Sequence, residues 1–91
     1  MITEPEKKII LACGKKYDVS EIYLFGSSIE KGNYNDIDLG VRGVRPELFF
    51  TFYADLFKSL PKPVDLVDLS EKSSFNSLIE EEGLKIYEKS R

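Results

Sequence analysis

Histidine is absent from this chain of 91 residues, and cysteine occurs once. Without histidine the Ser-His and Cys-His nucleophile pairs cannot form, and the common zinc sites lose a principal ligand. The lone Cys13 closes no intrachain disulfide, which fits a reducing cytoplasm. It ends the apolar run Ile9–Cys13 and reads as a buried structural thiol, since no histidine exists to activate it. No window approaches the length of a membrane span, and Met1–Lys8 has no long apolar core. Strong basic charge is lacking too. Thirteen basic residues against sixteen acidic ones leave a net charge of -3, which argues against a surface built for direct nucleic-acid binding. It does not exclude a nucleotide whose charge is carried by metal ions. What remains is a soluble, cytoplasmic chain whose chemistry rests on carboxylates, hydroxyls, amines and backbone.

At 42% hydrophobic and 32% charged residues, the composition is that of an ordinary folded domain, and residues 1–91 make one of them. Thr3 and Glu6 have capping-box spacing and Pro5 suits a first turn, so a helix is predicted from about Glu4 to Tyr17. Glu21–Phe25 is short, apolar and rich in strand formers, and it stops at Gly26. Ser27 to Lys31 is expected to form one helical turn, and Gly32–Asn35 a connecting turn. Asp36–Val41 alternates as a second strand. Pro46 opens a helix to about Leu60, with Phe49, Phe52, Tyr53, Leu56 and Leu60 in a stripe and Phe50 and Phe57 widening it. Val64–Leu69 is a third strand, and a C-terminal helical region is expected to hold Phe75, Leu78, Ile79, Leu84 and Ile86. This order implies a small α/β sheet with helices mainly on one face.

The pattern that carries chemistry runs from Leu24 to Val41. Asp36 and Asp38, at i and i+2, point to one face of a strand, roughly 6.5–7 Å apart at Cα for a rise of about 3.3 Å. Ile37 and Leu39 are left to the opposite face and the core. In the third strand Asp65, Val67 and Leu69 share one face, and Val64, Leu66 and Asp68 the other. One of Asp65 and Asp68 can therefore join the pair easily, and Asp65 stands at the strand's start, where a site mouth is expected. Three carboxylates on adjacent strands suit two magnesium ions, which take oxygen ligands and complete their shells with water and substrate phosphates. Gly26, Ser27 and Ser28 then gain a role: glycine permits close backbone approach, and amides and hydroxyls at a helix start bind phosphate oxygens. Gly-Ser-Ser or Asp-X-Asp alone is more often a plain turn or a wet strand end. Both together, at the ends of successive strands and followed by an acidic third strand, form a specific combination.

The stretches Tyr23–Ser28, Glu30–Gly32, Asp36–Val41 and Pro63–Leu69 together resemble the minimal nucleotidyltransferase family of the DNA polymerase β-like superfamily, the MntA-type antitoxins of HEPN/MNT pairs. The resemblance covers roughly Ile9 to Glu88, and Ile79–Glu88 is similar to the family's final helix. It implies a mixed sheet of polymerase β-like fold and a metal-dependent transfer of a nucleoside monophosphate, AMP from ATP or another NTP, to a hydroxyl. It implies that Gly26, Ser27 and Ser28 contact the triphosphate and that Asp36 and Asp38 hold two magnesium or manganese ions. Asp65 then completes one metal and acts on the incoming hydroxyl. The family's usual arginine is missing, and Lys31 stands in that neighbourhood as a point charge rather than a bidentate fork. Family members of this size work beside a small all-helical HEPN-type toxin and transfer AMP to its tyrosine. The alternative reading is an antitoxin that neutralises its partner by binding alone, and a homo-oligomer stays open.

Overall fold

Thr3 opens the first helix as the sequence predicts. Its hydroxyl accepts the Glu6 N–H at 3.2 Å while the Glu6 carboxylate accepts the Thr3 N–H at 2.8 Å, a complete capping box that starts α1 (Glu4–Lys16). The computed structural model describes residues 1–30 and 32–90. After α1 come β1 (Glu21–Phe25), one tight 3-10 turn (Gly26–Ile29) and β2 (Ile37–Arg42). A second 3-10 turn (Pro46–Leu48) leads into α2 (Phe49–Ser59), followed by β3 (Val64–Asp68), α3 (Ser74–Glu82) and β4 (Leu84–Glu88). The four strands form one mixed sheet in the order β3-β2-β1-β4: β2 runs antiparallel to β1 and parallel to β3, and β4 runs antiparallel to β1.

Alternation along the strands divides the sheet into two faces. Ile22, Leu24, Ile37, Leu39, Val41 and Val64 point to one face, where they meet Ile10 and Cys13 of α1 and Phe52 and Leu56 of α2. Tyr23 and Leu69 point to the other and meet Ile79 of α3, with Phe25 and Val67 packed against them. The two longer helices therefore share the larger core, and α3 covers part of the opposite face. Cys13 is buried in the larger core, and burial pushes its thiol pKa up, as suits an inert thiol.

The C-terminus departs from the sequence expectation. The helix ends at Glu82, and Leu84 and Ile86, assigned above to a helix, lie in β4 on the edge of β1. Gly83 makes the break: its N–H still bonds to the Ile79 carbonyl at 2.7 Å, but its backbone is already extended at ψ 169°. A Cβ at this position would stand 2.5 Å from the Ile79 oxygen, so only glycine fits the corner. The unpaired backbone groups of β1 then recruit the next five residues as a strand.

Candidate active site

The parallel register of β2 and β3 sets Asp38 directly beside Asp65, and the antiparallel register of β1 and β2 sets Phe25 beside Asp38. Phe25, Asp38 and Asp65 thus form a row on the α3 face of the sheet, with Gly26 leaving the end of β1. Asp36 is exposed one residue before β2, whose first residue is Ile37 rather than Asp36. Asp68, the alternative third carboxylate, pairs in register with Val41, and its Oδ1 accepts the Ser70 N–H at 2.9 Å. Strand parity turns it to the face opposite Asp65.

Two bonds fix where β3 begins. The Tyr53 hydroxyl of α2 donates to the Val64 carbonyl at 2.7 Å, and the Ile37 N–H donates to the Pro63 carbonyl at 2.9 Å. Both act on the residues flanking Asp65 in sequence or register.

Gly26 has φ +64°, the left-handed region that glycine enters without cost. It also makes a close approach, because a Cβ there would lie 2.5 Å from Asp38 Oδ2. The Gly-Ser turn and the central carboxylate are therefore in contact range only because residue 26 has no side chain. Ser27 is exposed on this turn, where its hydroxyl is free to meet a ligand.

Ser28 is placed differently from Ser27. Expected to touch a phosphate, it is instead 0% exposed. Its hydroxyl donates to the Asp36 carbonyl at 3.1 Å and accepts the Asp38 N–H at 2.9 Å. One buried hydroxyl thus ties the backbone of both aspartates to the turn, and its side chain does not reach the cleft. Lys31, the expected cation of this loop, lies outside the described residues.

A second brace went unrecognised in the sequence. Tyr34 is buried, its hydroxyl donates to Glu6, and Lys62 Nζ sits 3.5 Å from its ring centroid. Burial and the Glu6 carboxylate raise the Tyr34 pKa to about 12, so the phenol keeps its proton. A lone aromatic inside the polar turn Gly32–Asn35 was the available signal. It anchors the loop that delivers Asp36 and Asp38 to the start of α1.

Electrostatics single out Asp38. Burial, and then the like charges of Asp65 and Asp36, raise its pKa above the ordinary carboxylate value. Asp65 and Asp36 thus act on Asp38 as like charges, a repulsion that a divalent cation would relieve. The donors are all hard oxygens, as magnesium prefers. Among the described residues no three such side chains are already gathered as a metal-ligand set, so a bound ion would draw part of its shell from water or substrate. A shallow concavity of about 530 Å³ lined by Lys72, Ser73, Ser74, Ser77, Leu78 and Glu81 touches none of these aspartates. A narrower cleft of about 420 Å³ is not lined by them either, but it includes Phe25 and Gly26, the β1 neighbours of Asp38, with Phe75 and Leu78 on the other side.

Among the described residues no helix is long and apolar enough to cross a membrane. No curated protein matches the chain in sequence. Among solved structures, a toxin–antitoxin complex with AMP-PNP contains a similar chain, at 25% identity and TM-score 0.73, covering 91% of this chain and 73% of that one. An MntA–HepT toxin–antitoxin structure is similar at 22% identity and TM-score 0.72, over 96% of this chain and 74% of the other. The MNT antitoxin in complex with tri-AMPylated Shewanella oneidensis HEPN toxin is similar at 24% identity and TM-score 0.71, over 92% and 71%. The family model described as "Polymerase beta, Nucleotidyltransferase" matches residues 7–91. With a mixed sheet, paired aspartates at the start of β2 and a Gly-Ser turn against them, this chain belongs to the polymerase beta nucleotidyltransferase family.

Proposed function

We propose that this chain is an adenylyltransferase-type antitoxin, moving AMP from ATP to a hydroxyl, a tyrosine, of a small helical HEPN-type partner. The observation that carries the reading is the row Asp38–Asp65 in register, with Asp36 close by and Gly26 against Asp38. The structural likeness to antitoxins, one with AMP-PNP and one beside a tri-AMPylated toxin, supports the choice of nucleotide and partner.

In this reading Gly26 and Ser27 bind the β- and γ-phosphates through backbone N–H and hydroxyl, and Asp36, Asp38 and Asp65 are the groups that hold magnesium. Divalent cations bound there supply positive charge for the oxygens of a phosphoryl displacement. Asp65 accepts the proton of the incoming hydroxyl as its oxygen bonds to the α-phosphorus, and the bond to the bridging oxygen breaks to release pyrophosphate. Ser28 keeps the two strand-start aspartates in place throughout.

A second reading is antitoxin action by contact alone. Phe50 and Phe57, one face of α2 and 79% and 55% exposed, offer a partner surface that needs no chemistry. The test uses labelled ATP, magnesium and the helical partner. Wild type should label the partner, and Asp65→Asn should keep partner binding and much of its ATP affinity while labelling little or nothing. A wild type that silences the partner without labelling it would leave only the contact reading standing.

A further inference from the structure

β3 is an outer strand of the sheet, paired on its β2 side. Two bonds fix which of its backbone groups point inward. The Ile37 N–H donates to the Pro63 carbonyl at 2.9 Å, and the Leu69 N–H donates to the Val41 carbonyl at 2.8 Å. Alternate residues turn the same way along a ladder, so Asp65 and Val67 bond to β2, and the backbone of Val64, Leu66 and Asp68 faces the outer edge. Side chains cover both ends of that edge. The Tyr53 hydroxyl donates to the Val64 carbonyl at 2.7 Å, and the Asn76 amide donates to the Asp68 carbonyl at 3.1 Å. Leu66 lies between them, and among the described residues its N–H and C=O have no partner. The strand here holds no proline, glycine or bulge, and acidic side chains, Asp65 and Asp68, stand on either side.

We propose that this gap in the β3 edge docks an extended, basic segment of the acceptor protein, which exchanges two backbone bonds with Leu66. The inference rests on the transfer reading proposed above and names how the acceptor is held. Unmade backbone groups on a regular edge strand are complemented by the backbone of another strand. One antiparallel residue supplies both an acceptor for the Leu66 N–H and a donor for its C=O. Its neighbour then forms a non-hydrogen-bonded pair with Asp65, with Cα atoms about 4.5 Å apart, and side chains of such a pair share a face. The guest side chain at that position stands on the Asp65 face, where the transfer reading needs a hydroxyl. Charge selects the guest. Asp65 and Asp68 favour lysine or arginine beside them, whereas a second copy of this chain, at net charge -3, brings further carboxylates. Because Tyr53 and Asn76 occupy the flanking carbonyls, the contact stays short, and it aligns an acceptor without merging two sheets.

The test reads docking apart from transfer. Amide hydrogen exchange of the full chain is followed by NMR without ATP or metal, and the probe is the synthetic peptide acetyl-KKVYVK-amide. In the free chain Leu66 should exchange fast while Asp65 and Val67, bonded to β2, are protected. With peptide at ten times its dissociation constant, exchange at Leu66 should slow about tenfold, as the unbound fraction falls, and Asp65 and Val67 should not change. The same peptide N-methylated at both valines should leave Leu66 unprotected. Asp68→Asn, which keeps an oxygen for the Ser70 N–H, should weaken the peptide about twofold to fivefold. If that variant does not fold, added salt should weaken wild-type binding instead. No protection of Leu66 at the solubility limit of the peptide, or equal binding of the methylated peptide, would overturn the docking edge. Protection that rises with protein concentration in the absence of peptide would assign the edge to self-pairing and overturn it as well. A parallel arm with labelled ATP and magnesium keeps the two readings distinct. Label on the peptide tyrosine without protection of Leu66 refutes the docking and leaves transfer standing, and protection without label does the reverse.

Discussion

Replacing Asp38 by asparagine should stabilise the protein when no divalent cation is present. The substitution keeps the shape of the side chain and the bond from the Asp38 N–H to Ser28, and removes one charge. Strands lie about 4.8 Å apart, so carboxylates on register partners such as Asp38 and Asp65 repel by about 1–3 kcal/mol for effective dielectric constants between 80 and 20. Partial solvent exposure and salt favour the low end, so the expected gain is about 1 kcal/mol, or about 4–8 °C in melting temperature for a domain of this size. The pH dependence has a definite sign. The folded-state pKa of Asp38 is raised, by burial first and then by Asp65 and Asp36, so its charged form destabilises the fold. That penalty is present above the folded pKa and disappears as pH falls through it toward the unfolded value of about 3.9. The advantage of Asp38→Asn should therefore be largest near neutrality and close by about pH 4. Magnesium should reverse the order, stabilising wild type by mass action, with about 1.4 kcal/mol at ten times its dissociation constant, and the variant far less. Melts followed by circular dichroism in EDTA and in magnesium, from pH 4 to 8, supply the measurement. A variant less stable than wild type in EDTA at pH 7, or an equal magnesium shift in both, would refute the reasoning.

Three further substitutions probe the turn. Gly26→Ala combines a left-handed backbone with a clash against Asp38 Oδ2, so it should cost about 1–2 kcal/mol in a urea melt and also shrink the magnesium shift. Ser28→Ala leaves a part-buried N–H and a part-buried carbonyl without their shared partner, and a loss of about 1 kcal/mol is expected. Ser27→Ala, at an exposed position, should change the melting temperature little and weaken ATP binding in a titration. If Ser27→Ala unfolds the protein and Ser28→Ala leaves it unchanged, the roles of the two serines are the reverse of those described.

The sequence made the elements legible wherever a local signal agreed with the tertiary outcome. Thr3, Pro5 and Glu6 announce α1, and the stop at Gly26 marks the end of β1. Asp36 and Asp38 at i, i+2 and the parity of Asp65 are strand arithmetic, readable once the strands are known. Residues 84–88 were assigned to the helix that Phe75, Leu78 and Ile79 begin at i, i+3 and i+4, although Leu84 and Ile86 stand two apart, the spacing of a strand. Only the open edge of β1, a long-range fact, makes them a strand. The inward turn of Ser28 was hidden for a related reason. In the sequence both serines of the turn are equally available to a ligand, and only the fold turns one hydroxyl inward to β2 and leaves the other in solvent. The Tyr53 bond to Val64 and the Tyr34 bond to Glu6 also span distances that no local pattern encodes.

On the proposed function, the strand order lets such a small domain act on another protein. β3 is an edge strand, so Asp65 has β2 on one side and, among the described residues, no strand on the other. An acceptor hydroxyl carried by a second protein can reach it from that open side without any rearrangement of the sheet. At the opposite end of the row, α3 and the Gly-Ser turn enclose a cleft, so the arrangement is closed where a nucleotide would be held and open where an acceptor would arrive. Edge strands invite unwanted pairing, and here Asp65 and Asp68 on β3 and Lys85 and Glu88 on β4 guard the two edges with charge. On the proposed function, Asp65 therefore serves two physical needs with one carboxylate. Removing its charge should test both, lowering transfer at once and making the β3 edge more prone to association at high protein concentration. Light scattering of Asp65→Asn against wild type checks the second effect, and unchanged scattering with transfer lost would assign the residue to chemistry alone.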